Sequence, residues 1–198
     1  TPVYLEKSAD IDMAVVDIIT SKTFDNGTIC ASEQTVVIDD AIYETALEKF
    51  AELGAHICNP EETAILSQTV IDPETGFMRP IAVGQAAATI AQYIGLKVKP
   101  GTKLLIAPIG GVGPGHPLSV EKLFPVLAVY RARSREEALK TCVDVNHLGG
   151  IGHTAVVFSS NEEVIRKFGE VMNAGRIIVN SPGLPRLTGP VTSGGDSI

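Results

Sequence analysis

The stretch Thr35-Val-Val-Ile-Asp-Asp-Ala-Ile-Tyr-Glu-Thr-Ala-Leu-Glu-Lys-Phe-Ala-Glu-Leu-Gly54 sets the architecture. Its β-branched opening, Thr35–Ile38, reads as a strand. Asp39 or Asp40 then offers a helix cap, and Ile42, Ala46, Leu47, Phe50 and Leu53 recur at helical spacing. Gly54 stands where a helix usually stops. A strand running straight into an amphipathic helix is the repeating unit of an α/β fold.

The same alternation extends in both directions. Upstream, Pro2–Glu6 reads as a strand, and Ile11, Ala14, Val15, Ile18 and Ile19 mark one face of a helix capped by Ser8 or Asp10. That helix runs toward Thr23 and ends at the turn Asp25-Asn-Gly27. Downstream, helices are expected over Glu61–Ile71 and Gln85–Ile94, with a turn near Asp72–Gly76 between them. Lys103–Ala107, Val126–Arg131, Thr154–Phe158 and Arg176–Val179 read as strands. Ser134 with Glu137, and Ser160 with Glu163, have capping-box spacing and open two further helices. The expected fold is α/β, a mostly parallel sheet flanked by helices. Ser181–Ile198 is rich in Gly, Pro, Ser and Thr, lacks periodicity and reads as loop or tail.

Composition narrows the function classes. Twenty-three acidic against 16 basic residues give a net charge of −7, which argues against a binder that tracks nucleic-acid phosphates. No apolar run approaches the roughly 18 residues needed to cross a bilayer. The three cysteines are widely spaced, and neither C-x-x-C nor H-x-x-x-H occurs, so neither a zinc site nor a disulfide framework is expected. Reducing cytoplasm is the compartment this usage suggests. A first residue of Thr rather than Met suggests a processed or excised piece.

Of the cysteines, Cys142 shares a helix face with Leu139 and Val143, and Cys58 follows Ile57; both read as core. Cys30 instead follows a helix and a tight turn, where loops present reactive groups. A helical turn starting at Ala31 would favour its thiolate. Position alone leaves Cys30 open between a structural and a reactive thiol. The run Gly110-Gly-Val-Gly-Pro-Gly115 follows a strand, but Pro114 interrupts the helix start that a dinucleotide-binding loop needs. It reads as a mobile loop near a substrate mouth, with His116 a candidate pocket residue.

Ser21-Lys-Thr-Phe-Asp-Asn-Gly-Thr-Ile-Cys-Ala-Ser-Glu-Gln34 closely resembles the nucleophile motif of CoA-acylating aldehyde dehydrogenases, both the aldehyde dehydrogenase half of bifunctional aldehyde–alcohol dehydrogenases and the acetylating acetaldehyde dehydrogenases. Glu121-Lys-Leu-Phe-Pro125 resembles their E-x-x-x-P element, and Gly149-Gly-Ile-Gly-His-Thr154 their G-G-I-G-H-T element. Pro2–Asp10 resembles the strand and helix leading to the cysteine, and Arg176–Asn180 the strand closing the catalytic domain.

The resemblance implies an aldehyde-dehydrogenase-like catalytic domain over residues 21–180. Residues 1–20 would lead in from an NAD-binding domain that this sequence lacks, and 181–198 would be a tail. It implies Cys30 as the thiol that adds to a short aldehyde, with acetaldehyde the expected substrate. NAD would be the cofactor and coenzyme A the co-substrate that takes up the acyl group. Cys30 N–H would serve as one oxyanion donor, the family's second, an Asn side chain, coming from outside this sequence. It further implies Glu121 as the carboxylate holding the nicotinamide ribose, Leu123 and Pro125 as shapers of that loop, and His153 as the group that orients or deprotonates the CoA thiol. No metal, nucleic acid or membrane is implied, and the parent protein is expected to be a homo-oligomer. The isolated chain is expected to bind NAD and turn over poorly. Two other readings stand beside this one: a non-catalytic assembly module, and a hydrolytic aldehyde dehydrogenase that uses water.

Overall fold

A computed structural model describes residues 1–151 and 153–184. Seven strands form one sheet: β1 (Pro2–Leu5), β2 (Thr35–Asp39), β3 (Ala55–Ile57), β4 (Leu104–Pro108), β5 (Val126–Ala132), β6 (Thr154–Phe158) and β7 (Arg176–Val179). Their order is β3-β4-β5-β2-β1-β6-β7, and every neighbouring pair is parallel. The expected α/β architecture is therefore present, with the sheet wholly rather than mostly parallel. One consequence governs the rest: all strand starts line one edge of the sheet, here the amino edge, and all strand ends line the other, the carboxyl edge.

Among the described residues six α-helices cover both faces: α1 (Ile11–Thr23), α2 (Tyr43–Glu52), α3 (Pro60–Val70), α4 (Ala87–Tyr93), α5 (Arg135–Leu148) and α6 (Glu162–Val171). Alternation along the strands divides the core. Val3, Leu5 and Ile38 face Ala14, Ile18 and Phe50 of α1 and α2. Their neighbours Tyr4 and Val37 face the other way, onto Cys142 and Phe168 of α5 and α6. Leu105 and Val126 continue that second face and meet Leu66 and Ile90 of α3 and α4. Burial on both faces explains why the central strands read as continuous apolar runs.

The capping expectations need three corrections. Asp10 does cap α1, its carboxylate accepting from Met13 N at 3.0 Å. Neither Asp39 nor Asp40 caps α2, however, because a short 3₁₀ turn over Asp40–Ile42 intervenes. Asp39 instead accepts from Tyr4 Oη and Lys7 N, each at 2.9 Å, and Asp40 pairs with Arg131. Ser134 caps α5 as expected, accepting from Glu137 N at 3.2 Å, but Glu137 accepts from Arg133 N at 2.8 Å rather than from the cap residue itself. The α6 cap is Asn161, not Ser160, which donates to Ser8 twice, from its N to Ser8 Oγ and from its Oγ to Ser8 O, each at 3.0 Å. β3 and the full capping box at Asn59 and Glu62 have no counterpart in the sequence reading.

Candidate active site

Cys30, Glu121 and His153 each precede a strand, so all three stand at the amino edge. Cys30 leads into β2, the Glu121–Pro125 segment into β5, and His153 into β6. β5 is the direct neighbour of β2, and β6 lies two strands from β2, about 10 Å at ordinary strand spacing.

The Cys30 loop owes its shape to three consecutive left-handed residues, Asp25 (φ 47°), Asn26 (φ 51°) and Gly27 (φ 77°). Short polar side chains and glycine tolerate this conformation best. Gly27 is required for a second reason: a Cβ there would stand 2.8 Å from the Phe124 carbonyl carbon. That close approach presses the Cys30 loop onto the Glu121–Pro125 segment. After it, Ser32 N donates to Ile29 O at 3.0 Å, closing a single turn around Cys30. No helix begins at Ala31, so a helix dipole does not act on the thiol.

Buried lysines tie the two loops together. Lys22 Nζ donates to Lys122 O at 2.8 Å and to Gln34 Oε1 at 3.2 Å, and the same Gln34 oxygen accepts from Lys122 N at 2.8 Å. Lys22 is fully buried, and burial lowers its pKa to about 7 against the pull of Glu33 and Glu121. Lys122 is buried as well; its ammonium donates to Leu118 O and Val120 O, and burial and then the charge of Lys22 hold its pKa well below the usual lysine range. A further link runs from Asn26 Nδ2 to Gly84 O (3.0 Å), and from Gly84 N to Leu123 O (2.9 Å). Glu121 is exposed, Leu123 half-buried and Pro125 buried.

His153 is exposed and shares a 2.9 Å hydrogen bond with Thr154 Oγ1. Arg176 Nη2 reaches both Thr154 Oγ1 (3.3 Å) and Gly183 O (2.8 Å). Gly183 N in turn donates to Glu33 Oε1 at 2.6 Å, and a Cβ on Gly183 would lie 2.6 Å from Ala31 O. His153 is thus connected to the Cys30 loop through Arg176 and Gly183. Among the described residues no hydrogen bond joins Cys30 Sγ to His153 or Glu121. Burial raises the pKa of Glu33, while Ser21, the Gly183 N–H and Lys22 oppose the rise.

The thiols separate cleanly: Cys30 is exposed, Cys58 and Cys142 buried. Burial pushes the Cys58 thiol up to about 12 and Cys142 further still. The glycine-rich loop lies at the opposite edge of the sheet from Cys30. It leaves β4 at the carboxyl edge, where Gly111 O accepts from Tyr130 Oη at 3.1 Å, and His116 lines a cavity of about 360 Å³ there. Lys22, Gln34, Lys122 and Glu33 were not singled out by sequence, although each lies within or beside a quoted motif.

The aldehyde dehydrogenase family model matches residues 1–196. The chain belongs to the aldehyde dehydrogenase family. Among its relatives, an aldehyde-alcohol dehydrogenase of Clostridium acetobutylicum is 40% identical over 185 residues, covering 92% of this chain and 21% of that protein. The bifunctional aldehyde-alcohol dehydrogenase of Escherichia coli K12 is 37% identical over 185 residues, with 92% and 20% covered. The crystal structure of an acetylating aldehyde dehydrogenase from Geobacillus thermoglucosidasius superposes with a TM-score of 0.89 at 38% identity, covering 92% of this chain and 40% of that one. The chain therefore spans about a fifth of the curated relatives' length. No helix among the described residues is long and apolar enough to cross a membrane.

Proposed function

We propose that this chain is the thiol-bearing catalytic domain of a CoA-acylating aldehyde dehydrogenase, in which Cys30 attacks a short aldehyde, acetaldehyde foremost. Residues 21–180 are the catalytic domain, 1–20 the lead-in and 181–198 the tail. The observation that carries the reading is the contrast among the thiols: the exposed one lies in the nucleophile motif, on a loop locked to the Glu121 segment.

The Cys30 thiolate adds to the aldehyde carbon to give a thiohemiacetal, with the Cys30 N–H as one donor to the developing oxyanion. A bound nicotinamide cofactor, NAD in this reading, supplies the hydride acceptor. The exposed Glu121 carboxylate would fit that group, because its two oxygens can accept from both hydroxyls of a ribose, and its segment leads into the strand beside the one that follows Cys30. Leu123 and Pro125 shape the wall of that subsite. The resulting acyl-cysteine thioester is a good acceptor for a second thiol, and His153 takes the proton from the thiol of coenzyme A. The product is acyl-CoA. The histidine element Gly149–Thr154 supports CoA rather than water as acyl acceptor. The parent protein is proposed to be a cytoplasmic homo-oligomer.

The test is Cys30→Ser in the full-length parent protein. CoA-dependent NADH formation should fall by about 10³-fold or more, the scale of losing a nucleophile. Intact activity would sink the proposal and leave the assembly-module reading.

A further inference from the structure

On the carboxyl edge, far from the Cys30 loop, three donors of different chemistry converge. His56 and Cys58 are two residues apart at the end of β3, so both project to one side of the strand. Glu62 reaches back from the first turn of α3. His56 Nε2 lies 3.1 Å from Glu62 Oε2, and the ligand atoms of all three residues fall within 4.8 Å of one another. We propose that His56, Cys58 and Glu62 form a binding site for a divalent transition metal of the zinc class, with an open coordination position toward the neighbouring cavity.

Three features of the site carry this. Imidazole, thiolate and carboxylate together are the ligand set of zinc, and three protein ligands with one open position form its reactive type of site. Ligand atoms around a tetrahedral zinc stand roughly 3.5 Å apart at bond lengths of about 2.0–2.3 Å. The widest gap here therefore closes with a movement of about an ångström, which a side-chain adjustment supplies. Cys58 and His116 both line the cavity of about 360 Å³, so the open position meets a space that can hold water or a small ligand.

The competing explanation is that Glu62 serves only the helix cap. It does accept from Asn59 N at 2.9 Å, completing the capping box with Asn59. Capping requires neither a histidine at 3.1 Å nor a thiol beside it. Both bonds also fall on Oε2 of a carboxylate that has two oxygens. Burial keeps the Cys58 thiol protonated, so metal uptake must release its proton. The site does not depend on the aldehyde chemistry proposed above.

The test is cobalt(II) titration of the full chain carrying Cys30→Ser, which removes the exposed thiol as a competing ligand. One equivalent should produce a thiolate-to-cobalt charge-transfer absorption that zinc(II) abolishes by displacement. Cys58→Ala should eliminate the absorption, and His56→Ala and Glu62→Gln should each weaken cobalt binding by at least about tenfold. No absorption from a protein that circular dichroism shows folded would overturn the site. So would unchanged affinity in His56→Ala, a half-buried edge position whose loss leaves the core packing in place.

Discussion

The two edges of one sheet use cysteine in opposite ways. At the amino edge, Cys30 is exposed on a loop held by the buried Lys22 amino group and the Lys122 backbone N–H. At the carboxyl edge, Cys58 is buried against the apolar residues of α3 and α4, beside a histidine and a glutamate. The difference shows that the fold decides a thiol's chemistry through water and neighbouring charge, not through the strand it adjoins. It also departs from the common rule for open α/β sheets, in which ligands bind outside the carboxyl ends of the strands. Here the candidate nucleophile occupies the amino edge and the cavity the carboxyl edge.

The largest effect expected from this contrast is kinetic. With its pKa pushed up to about 12, Cys58 is ionised at only about one part in 10⁴ at pH 8, and it reacts only when the structure opens locally. A mild alkylating reagent should therefore modify Cys30 at least about 10³-fold faster than Cys58 or Cys142, read by peptide mass spectrometry. Equal labelling of all three would break the comparison, and equal inertness would favour a non-catalytic module.

A second effect concerns the buried lysines. Lys22 titrates at about 7 in the fold against its ordinary 10.5, because burial disfavours its charge. Between those values the unfolded chain holds a proton that the folded chain lacks, so stability rises with pH across that window and Lys22 adds no slope below it. The ceiling is about 1.4 kcal/mol per pH unit for one group. Urea unfolding at pH 7 and pH 9 should show the unsubstituted chain gaining about 1–2 kcal/mol more than Lys22→Met. Glu33, Glu121 and Lys122 face Lys22 and remain in both proteins. Parallel pH profiles would mean that Lys22 is hydrated and that the loops are held by something else.

How much of this was legible follows from what periodicity can record. Ile11–Ile19 and Thr35–Ile38 bury complete faces, so their spacing announces them, and the observed α1 and β2 match. β3 is only Ala55-His-Ile57, too short for an alternation to stand out. Nothing in the sequence marks Lys22 and Lys122 as buried, because a lysine is almost never fully buried; only tertiary contacts with the Gln34 amide and backbone carbonyls put them inside. Ser160 and Glu163 have the spacing of a capping box, yet Ser8 from a distant loop claims the serine and leaves Asn161 to cap. His56, Cys58 and Glu62 escape the familiar zinc spacings because strand and helix geometry, not one local motif, brings them together.

The smallest effect tests whether the two edges are independent. Asn59 caps α3 by accepting from Glu62 N at 2.9 Å, and Pro60 at the first helical position reinforces that start. Asn59→Ala should cost about 1 kcal/mol of stability, the usual loss of such a cap. It should leave the alkylation rate of Cys30 unchanged within about twofold, since substitutions at distant sites without shared partners act separately. A larger change at Cys30 would mean that the strands transmit a shift at α3 across the sheet to the Cys30 loop. The shortest such route runs from β3 through β4 and β5 to β2, so the rigidity of those three parallel pairings is what the measurement probes.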